Sequence, residues 1–441
     1  MINNKLVKAL NTVDYKLLTA IFSMMLLPTI YQTVRIFFLG KMPNDWGYNI
    51  ASQLSWVSLC YEVIQESLIL PLFFLLGKSL NNKLEFENKV RSGLIVTAII
   101  YSIFVISLLV FAKYLVVFMV QKNHLVNATI DYIRLESVAS LFSMLWRFAM
   151  LSLVMLGKNK YMYILLVAQM VLSILLDTFL VSTLDVSAKL GVNGIAVTNI
   201  IVNIFLLLFS IFLLRRENIE ILKKRKISFS WTNEWFSVGV YSGIESLVRN
   251  LVFMFMIIRM INIIAEQKNY WIANNFIWNW LLLPGLALAD LVKKEIGENL
   301  DNIRTKTFGY IVVTTILAIF WLLSIPLWKP FLYYMMNVTD YEAVYNIVLI
   351  QVGFYLTFLF NNSILDSTLY GVGKTKYMLI QSICINIFYY GTMFILYKNG
   401  IFIPSLSSIS LMFGFGMVLD FIPTIILYKR FLRKKNLTIN F

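Results

Sequence analysis

The sequence predicts an all-α integral membrane protein with about twelve transmembrane helices in two pseudo-symmetric six-helix bundles. Three observations carry this expectation. Hydrophobic residues fill 59% of the 441 positions and charged residues 14%, with a mean hydropathy of +0.76, outside the range of a soluble domain. Apolar runs of roughly 20 residues, long enough to cross the hydrocarbon core as helix, recur from Tyr15 to the chain end. Finally, Gly157-Lys158-Asn159-Lys160-Tyr161-Met162 returns 216 positions later as Gly373-Lys374-Thr375-Lys376-Tyr377-Met378.

The same offset, followed backwards, sets Lys113 on Lys329 and Met119 on Met335 without a gap. Each match alone is weak, but the shared spacing argues for duplication. The expected spans are 15–39, 51–77, 92–112, 128–155, 161–183 and 190–214, then 234–264, 270–292, 307–328, 341–371, 377–397 and 403–428. This gives an N-terminal lobe over 1–214, a basic linker over 215–233 and a C-terminal lobe over 234–441. Six is even, so both lobes enter the membrane in the same direction and a central cleft between two bundles is expected. Pro28, Pro71 and Pro284 fall within spans, where each removes a backbone hydrogen bond and serves either as a fixed kink or as a hinge.

A net charge of +15 suggests nucleic acid or acidic lipid until the 38 Lys and Arg are placed. Most fall at one set of span ends: Lys5 to Lys16, Lys78 to Arg91, Lys158 and Lys160, Arg215 to Lys226, Lys293 to Lys306, Lys374 and Lys376, and Lys429 to Lys435. The opposite ends carry only Lys41, Lys113, Lys122, Lys189, Lys268, Lys329 and Lys398. The positive-inside rule then puts both termini in the cytoplasm and makes the charge a topology signal rather than a nucleic-acid surface. No small-residue cleavage site follows the first span, which is expected to remain in the mature chain. Cys60 and Cys384 sit in different apolar runs and form no disulfide or metal pattern.

Short motifs then narrow the reading. Leu176-Asp177-Thr178 followed by Leu190-Gly191-Val192-Asn193-Gly194-Ile195-Ala196-Val197-Thr198 resembles helices five and six of the multidrug and toxic compound extrusion (MATE) family. Ser242-Gly243-Ile244-Glu245-Ser246-Leu247-Val248-Arg249-Asn250 resembles its seventh helix, and Pro284-Gly285 with Gly297 its eighth. The two Gly-Lys-x-Lys-Tyr turns fit its 4/5 and 10/11 connections. The resemblance implies twelve helices in two lobes and cation-driven export of organic, often cationic, compounds. The wider multidrug/oligosaccharidyl-lipid/polysaccharide flippase superfamily keeps lipid-linked saccharide flipping as the alternative.

Charges inside spans are the informative residues, since each costs roughly 2.5–3.5 kcal/mol at a span centre. Glu62 and Glu66 are four apart on one helix face, where they either share a proton or cation or pair with Arg35. Arg134 and Glu136 are expected at the interface. Glu245 and Arg249 have the spacing of a helical salt bridge, and Glu245 is either structural or a coupling acid. Asp366, with Asn361 and Asn362 about one turn earlier, offers oxygen ligands for Na⁺ or a site for a proton. The aromatic stretches Trp271 to Trp280 and Phe354 to Phe360 either line an apolar cleft or pack. In the family the helix-one acid works with a helix-five Asp, matched here by Asp177, to take up a cation. Arg35 stands where that acid is expected, in Arg35-Ile36-Phe37-Phe38-Leu39-Gly40 after Pro28. Arg35 is therefore expected to pair with Asp177 or Glu66, leaving coupling to the second lobe.

Other chemistries are disfavoured. Gly373-Lys374-Thr375 echoes a phosphate-binding loop, but Thr368 occupies the place of its first glycine. The only histidine, His124, has no second histidine for zinc and lies in an external loop, which argues against a membrane acyltransferase and against an enzyme. The external sequons at Asn127 and Asn337 carry little weight, because abundant Ile, Asn, Lys and Phe point to an AT-rich bacterial genome. The expected protein is a monomeric multi-pass exporter of the bacterial plasma membrane. It acts on small molecules, has no cofactor or nucleic-acid partner, and couples to Na⁺ or H⁺, with Na⁺ near Glu245 or Asp366.

Overall fold

The computed structural model describes residues 2–42, 46–77, 79–80, 82–221 and 226–438. Lys78 and the linker residues Lys223, Lys224 and Arg225 lie outside the described residues. No strand occurs among the described residues, and the chain folds as an all-helical membrane protein. Among the described residues, eight helices are long and apolar enough to span alone: α1 (Tyr15–Leu39), α3 (Lys83–Phe118), α4 (Asn123–Met155), α5 (Asn159–Leu180), α6 (Val192–Arg216), α10 (Tyr341–Gly371), α11 (Lys376–Lys398) and α12 (Leu406–Lys434). Two bent pairs qualify as one span each: α8 (Gln267–Leu281 with Leu283–Glu298, 54°) and α9 (Thr307–Leu323 with Ile325–Met335, 61°). α2 (Leu54–Gly77) and the more polar α7 (Thr232–Phe253) are 24 and 22 residues long. At 1.5 Å per residue that is roughly 33–36 Å, also enough to span.

Proline explains the bends only where it opens a helical segment. Pro284 and Pro326 each lie in the first turn after a break, where the missing N–H removes the bond that would join the two segments. α1 runs on through Pro28, and α2 through Pro71.

Four helix ends carry the duplication into the backbone. After α4, the Gly157 N–H bonds to Val154 O and the Lys158 N–H to Leu153 O; after α10, Gly373 bonds to Tyr370 O and Lys374 to Leu369 O. Gly157 and Gly373 have φ +73 and +71, the left-handed conformation that closes such an end. After α6 and α12 the same closure uses Asn218 (φ +62) and Asn436 (φ +51), with Ile219 bonded to Leu214 O and Leu437 to Leu432 O. The offset there is 218 rather than 216, so a fixed register does not find this second match.

By packing, the described residues form two compact units, one of Ile30–Met254 and one drawn from Met1–Thr29 and Phe255–Phe441. This division differs from the expected one at the basic linker. In the first unit α7 lies against α2, because Gly239 and Gly243 let the backbones meet: a Cβ on either would fall on Ser67. Trp235 Nε1 donates to Leu68 O at 2.8 Å, Ser242 Oγ to Glu66 O at 3.0 Å and Asn250 Nδ2 to Leu59 O at 3.3 Å. The end of the linker docks on α3, where Asn88 exchanges two 2.9 Å bonds with the Ser228 backbone and Trp231 Nε1 donates to Ser92 Oγ at 2.8 Å. In the other unit the leading helix Ile2–Leu10 rests on α9 at Gly309, where a Cβ would strike Ala9 O. Among the described residues, five π-helical turns, Met254–Ile258, Ile277–Leu281, Phe331–Met335, Asn361–Asp366 and Ile385–Tyr390, interrupt the helices of the chain's second half.

Candidate functional site

Among the described residues, the charged candidates for coupling fall in three clusters, two in the Ile30–Met254 unit and one in the other. In the first cluster, Arg35 on α1 donates through Nε to Asp177 Oδ2 at 2.9 Å and through Nη2 to Asp177 Oδ1 at 3.4 Å. Asp177, on α5, is 1% exposed. A forked guanidinium on a buried carboxylate is the geometry in which such a pair is well satisfied. Glu136 on α4 completes the group: it is 6% exposed, accepts from Asn199 Nδ2 at 2.7 Å and Tyr132, and faces the Arg35 charge. Glu136 is thus enclosed by neighbouring helices. Arg134 does turn outward, donating through Nε to Leu109 O at 3.3 Å. The partners Arg35, Asp177 and Asn199 reach Glu136 from α1, α5 and α6, far along the chain, so spacing alone does not reveal them.

The second cluster joins α2 to α7. Arg249 Nη2 lies 3.1 Å from Glu62 Oε1 and 3.0 Å from Glu66 Oε1, and Arg249 Nε lies 3.8 Å from Glu245 Oε1. Glu62 and Glu66 thus pair with Arg249 and not with Arg35, the alternative held open from sequence. Their register follows from the glycine contact described above, which sets Arg249 one turn or more beyond Ser67 along the shared seam. One guanidinium faces three carboxyl groups, and the side chains of Glu62 and Arg249 are each 42% exposed. Solvent therefore weakens each pair individually. A Na⁺ beside Glu245 would compete with the guanidinium already there.

The third cluster depends on the π turn Asn361–Asp366 of α10. Five residues are about 1.4 turns of α-helix and would point Asn361 and Asp366 to different sides, whereas i→i+5 winding returns them to one face. Accordingly Asn361 Nδ2 donates to Asp366 Oδ2 at 3.2 Å. It also reaches Asp420 Oδ2 on α12 at 3.5 Å, and Gln381 Nε2 on α11 donates to that oxygen at 2.6 Å. Thr424 and Gln381 face Asp366 as well. Asn361, Asp366 and Gln381 are 1%, 7% and 4% exposed, and Asn361 Oδ1, Asp366 Oδ1 and Gln381 Oε1 are buried without a hydrogen-bond partner. Asn362 does not join them; its backbone carbonyl accepts from Ser367 Oγ. Ser363 Oγ donates to Gly285 O at 3.2 Å, fixing α10 against α8 where a Cβ on Gly285 would meet Leu359. Gln381 was missed from sequence, although it lies one turn after the Gly-Lys-Thr-Lys turn.

Of the two aromatic stretches, the rings with described partners pack on other aromatic rings, within the stretches and beyond them. Trp278 meets Phe358 at 5.2 Å and Tyr355 at 6.1 Å, and Phe354 meets Phe415 at 5.1 Å. No group of three His, Cys, Asp or Glu residues suited to a metal ion occurs among the described residues.

No protein-family model matches the chain, and no curated protein matches it. Solved structures do match over nearly the whole length. A MOP superfamily transporter from Pyrococcus furiosus, described as having a binding pocket of reverse polarity that suggests a different function, aligns at TM-score 0.67 and 18% identity, covering 96% of this chain and 97% of its own. An inward-facing multidrug resistance MATE family transporter of the MOP superfamily aligns at TM-score 0.71 and 15% identity, covering 91% and 92%. An outward-facing one aligns at 0.64 and 16%, covering 97% and 98%. The chain therefore has the MATE transporter fold, the fold expected from the Leu176 to Thr198 and Ser242 to Asn250 motifs.

Proposed function

We propose that this chain, having the fold of the MATE transporters, is a secondary active exporter that works by alternating access. It exchanges Na⁺ or H⁺ for organic compounds of cationic or amphipathic character. The observation that carries the reading is the third cluster: the buried Asp366 carboxyl beside Asp420, with three unmatched oxygens around it and no ion pair to Asp366 among the described residues. A carboxylate buried at membrane depth with vacant oxygen acceptors is stabilised by a proton or by Na⁺, either of which supplies the missing positive charge. A cation that binds one conformation more tightly than the other shifts the equilibrium between them, which is what coupling requires.

The second cluster supports the same reading, since Glu62, Glu66 and Glu245 leave more negative charge than Arg249 cancels. Lipid-linked saccharide flipping fits less well. Arg35 and Arg249, which a pyrophosphate would need, are already engaged by carboxylates. The proposed protein acts as a monomer in a plasma membrane with both termini cytoplasmic, as the alternation of lysine-rich and lysine-poor ends supports. The test is uptake of a fluorescent organic cation into proteoliposomes holding the protein in inverted orientation. Accumulation above protein-free vesicles under an imposed ion gradient is expected; accumulation equal to theirs under both Na⁺ and H⁺ gradients overturns the proposal.

A further inference from the structure

At one end of the Ile30–Met254 unit a cavity of about 400 Å³ opens between the turn after α1, the short helix Trp46–Ala51 and the loop that leads into α6. Its walls are largely apolar, including Met42, Ile50, Val181 and Val192. Two ammonium groups stand on it, those of Lys41 and Lys189. Neither makes an ion pair among the described residues, and Lys41 meets only the face of Phe37, at 4.7 Å. Lys189 is held in place by its loop. Ala188 N–H bonds to Phe179 O at 2.8 Å and Leu190 N–H to Leu180 O at 2.9 Å, while Lys189 itself takes φ +52. Gly191 to Asn193, the start of the 25-residue helix α6, form another wall, and no side chain caps that end. Its amide groups add partial positive charge to that of the lysines.

Exposed apolar side chains adjoin the cavity at Leu190, which lines it. Leu175 and Phe179, one turn apart on α5, and Val186 and Leu190 of the loop are all exposed. A small inorganic anion would use the lysines but leave these apolar walls wet, whereas an anionic amphiphile uses both. We propose that this cavity binds the phosphodiester headgroup of an anionic phospholipid, with the glycerol and acyl chains lying along Leu175 and Phe179. Nothing in the export reading requires this site, and its test does not depend on transport.

The experiment titrates the full-length protein in phosphatidylcholine nanodiscs with phosphatidylglycerol and counts retained lipid by native mass spectrometry. Wild type is expected to prefer phosphatidylglycerol over phosphatidylcholine, and Lys41→Gln with Lys189→Gln to lower that preference by about tenfold. The paired Lys41→Arg and Lys189→Arg variant should retain it. A control pair on the same lysine-poor side, Lys113→Gln with Lys122→Gln, should leave it unchanged. Equal preference in wild type and the double glutamine variant overturns the proposal, as does an equal loss in the control. Should the double variant fail to fold, each single glutamine variant is read instead, and unchanged preference in both is the overturning result. Inorganic phosphate at millimolar concentration is the last arm. Displacement of phosphatidylglycerol by phosphate would reassign the cavity to a free anion and overturn the lipid assignment.

Discussion

Arg35 and Asp177, 142 residues apart, form a buried forked ion pair with Nε 2.9 Å from Oδ2. The guanidinium sits where a carboxyl group is expected from the family resemblance, so this position in the first unit holds a permanent positive charge. Glu136 lies beside the pair, and the group has two carboxyl groups for one guanidinium.

Breaking such a pair from one side leaves a buried charge alone. Arg35→Met and Asp177→Leu are each expected to cost about 3–5 kcal/mol of stability, and the double variant less than either alone. Thermal unfolding in detergent of the four proteins of the cycle is the check. Additive losses would mean that the two side chains do not depend on each other.

Arg35→Asp replaces the fixed cation by a third carboxyl group. Its melting temperature is expected to depend on Na⁺ or on pH more steeply than that of wild type, because a solution cation must then do what the guanidinium did. A slope equal to wild type would show that the first unit gains no cation site from the exchange.

Glu245→Gln leaves Arg249 with Glu62 and Glu66 and is expected to fold normally while losing gradient-driven export by about tenfold or more. Export at the wild-type rate would leave Glu245 as a helical partner of Arg249 and nothing more. Arg249→Ala strands three carboxyl groups and should destabilise by about 1–3 kcal/mol, since the cluster is partly open to solvent.

The π turn makes a separate prediction. Inserting one alanine after Ile364 should place Asp366 six positions beyond Asn361, about 1.7 turns of α-helix, and swing it away from Asn361, with helix content by circular dichroism unchanged and coupled transport lost. Retained coupling would show that the Asn361 contact is dispensable.

What could be read from the sequence was what repeats or alternates. The Gly157 and Gly373 turns share one hydrogen-bond pattern because both need a left-handed residue after a helix, and glycine marks the place. The spans were legible from apolar length, apart from the break at Pro326, which has the same cause as that at Pro284. The clusters were only half legible. A charge inside a span announces that it needs a partner, so Arg35, Asp177, Arg249 and Asp366 stood out, but the partner is chosen by helix packing. Glu136, near the end of an expected span, gave no sign that α6 would bury it under Asn199. Gln381 is uncharged and drew no attention, although it donates to the Asp420 carboxylate. The pairing of Arg249 with Glu62 and Glu66 depends on Gly239 and Gly243 meeting Ser67, a contact between segments that chain order places in different halves.

The most direct test of the account is gradient-driven transport by wild type and Asp366→Asn in matched proteoliposomes, with substrate binding measured separately by tryptophan fluorescence. Holding a coupling cation among Asp366, Asp420, Asn361 and Gln381 predicts that wild type accumulates the organic cation under a Na⁺ or H⁺ gradient. The variant should bind it with similar affinity yet fail to accumulate it. Full accumulation by Asp366→Asn under the same gradient would contradict the account.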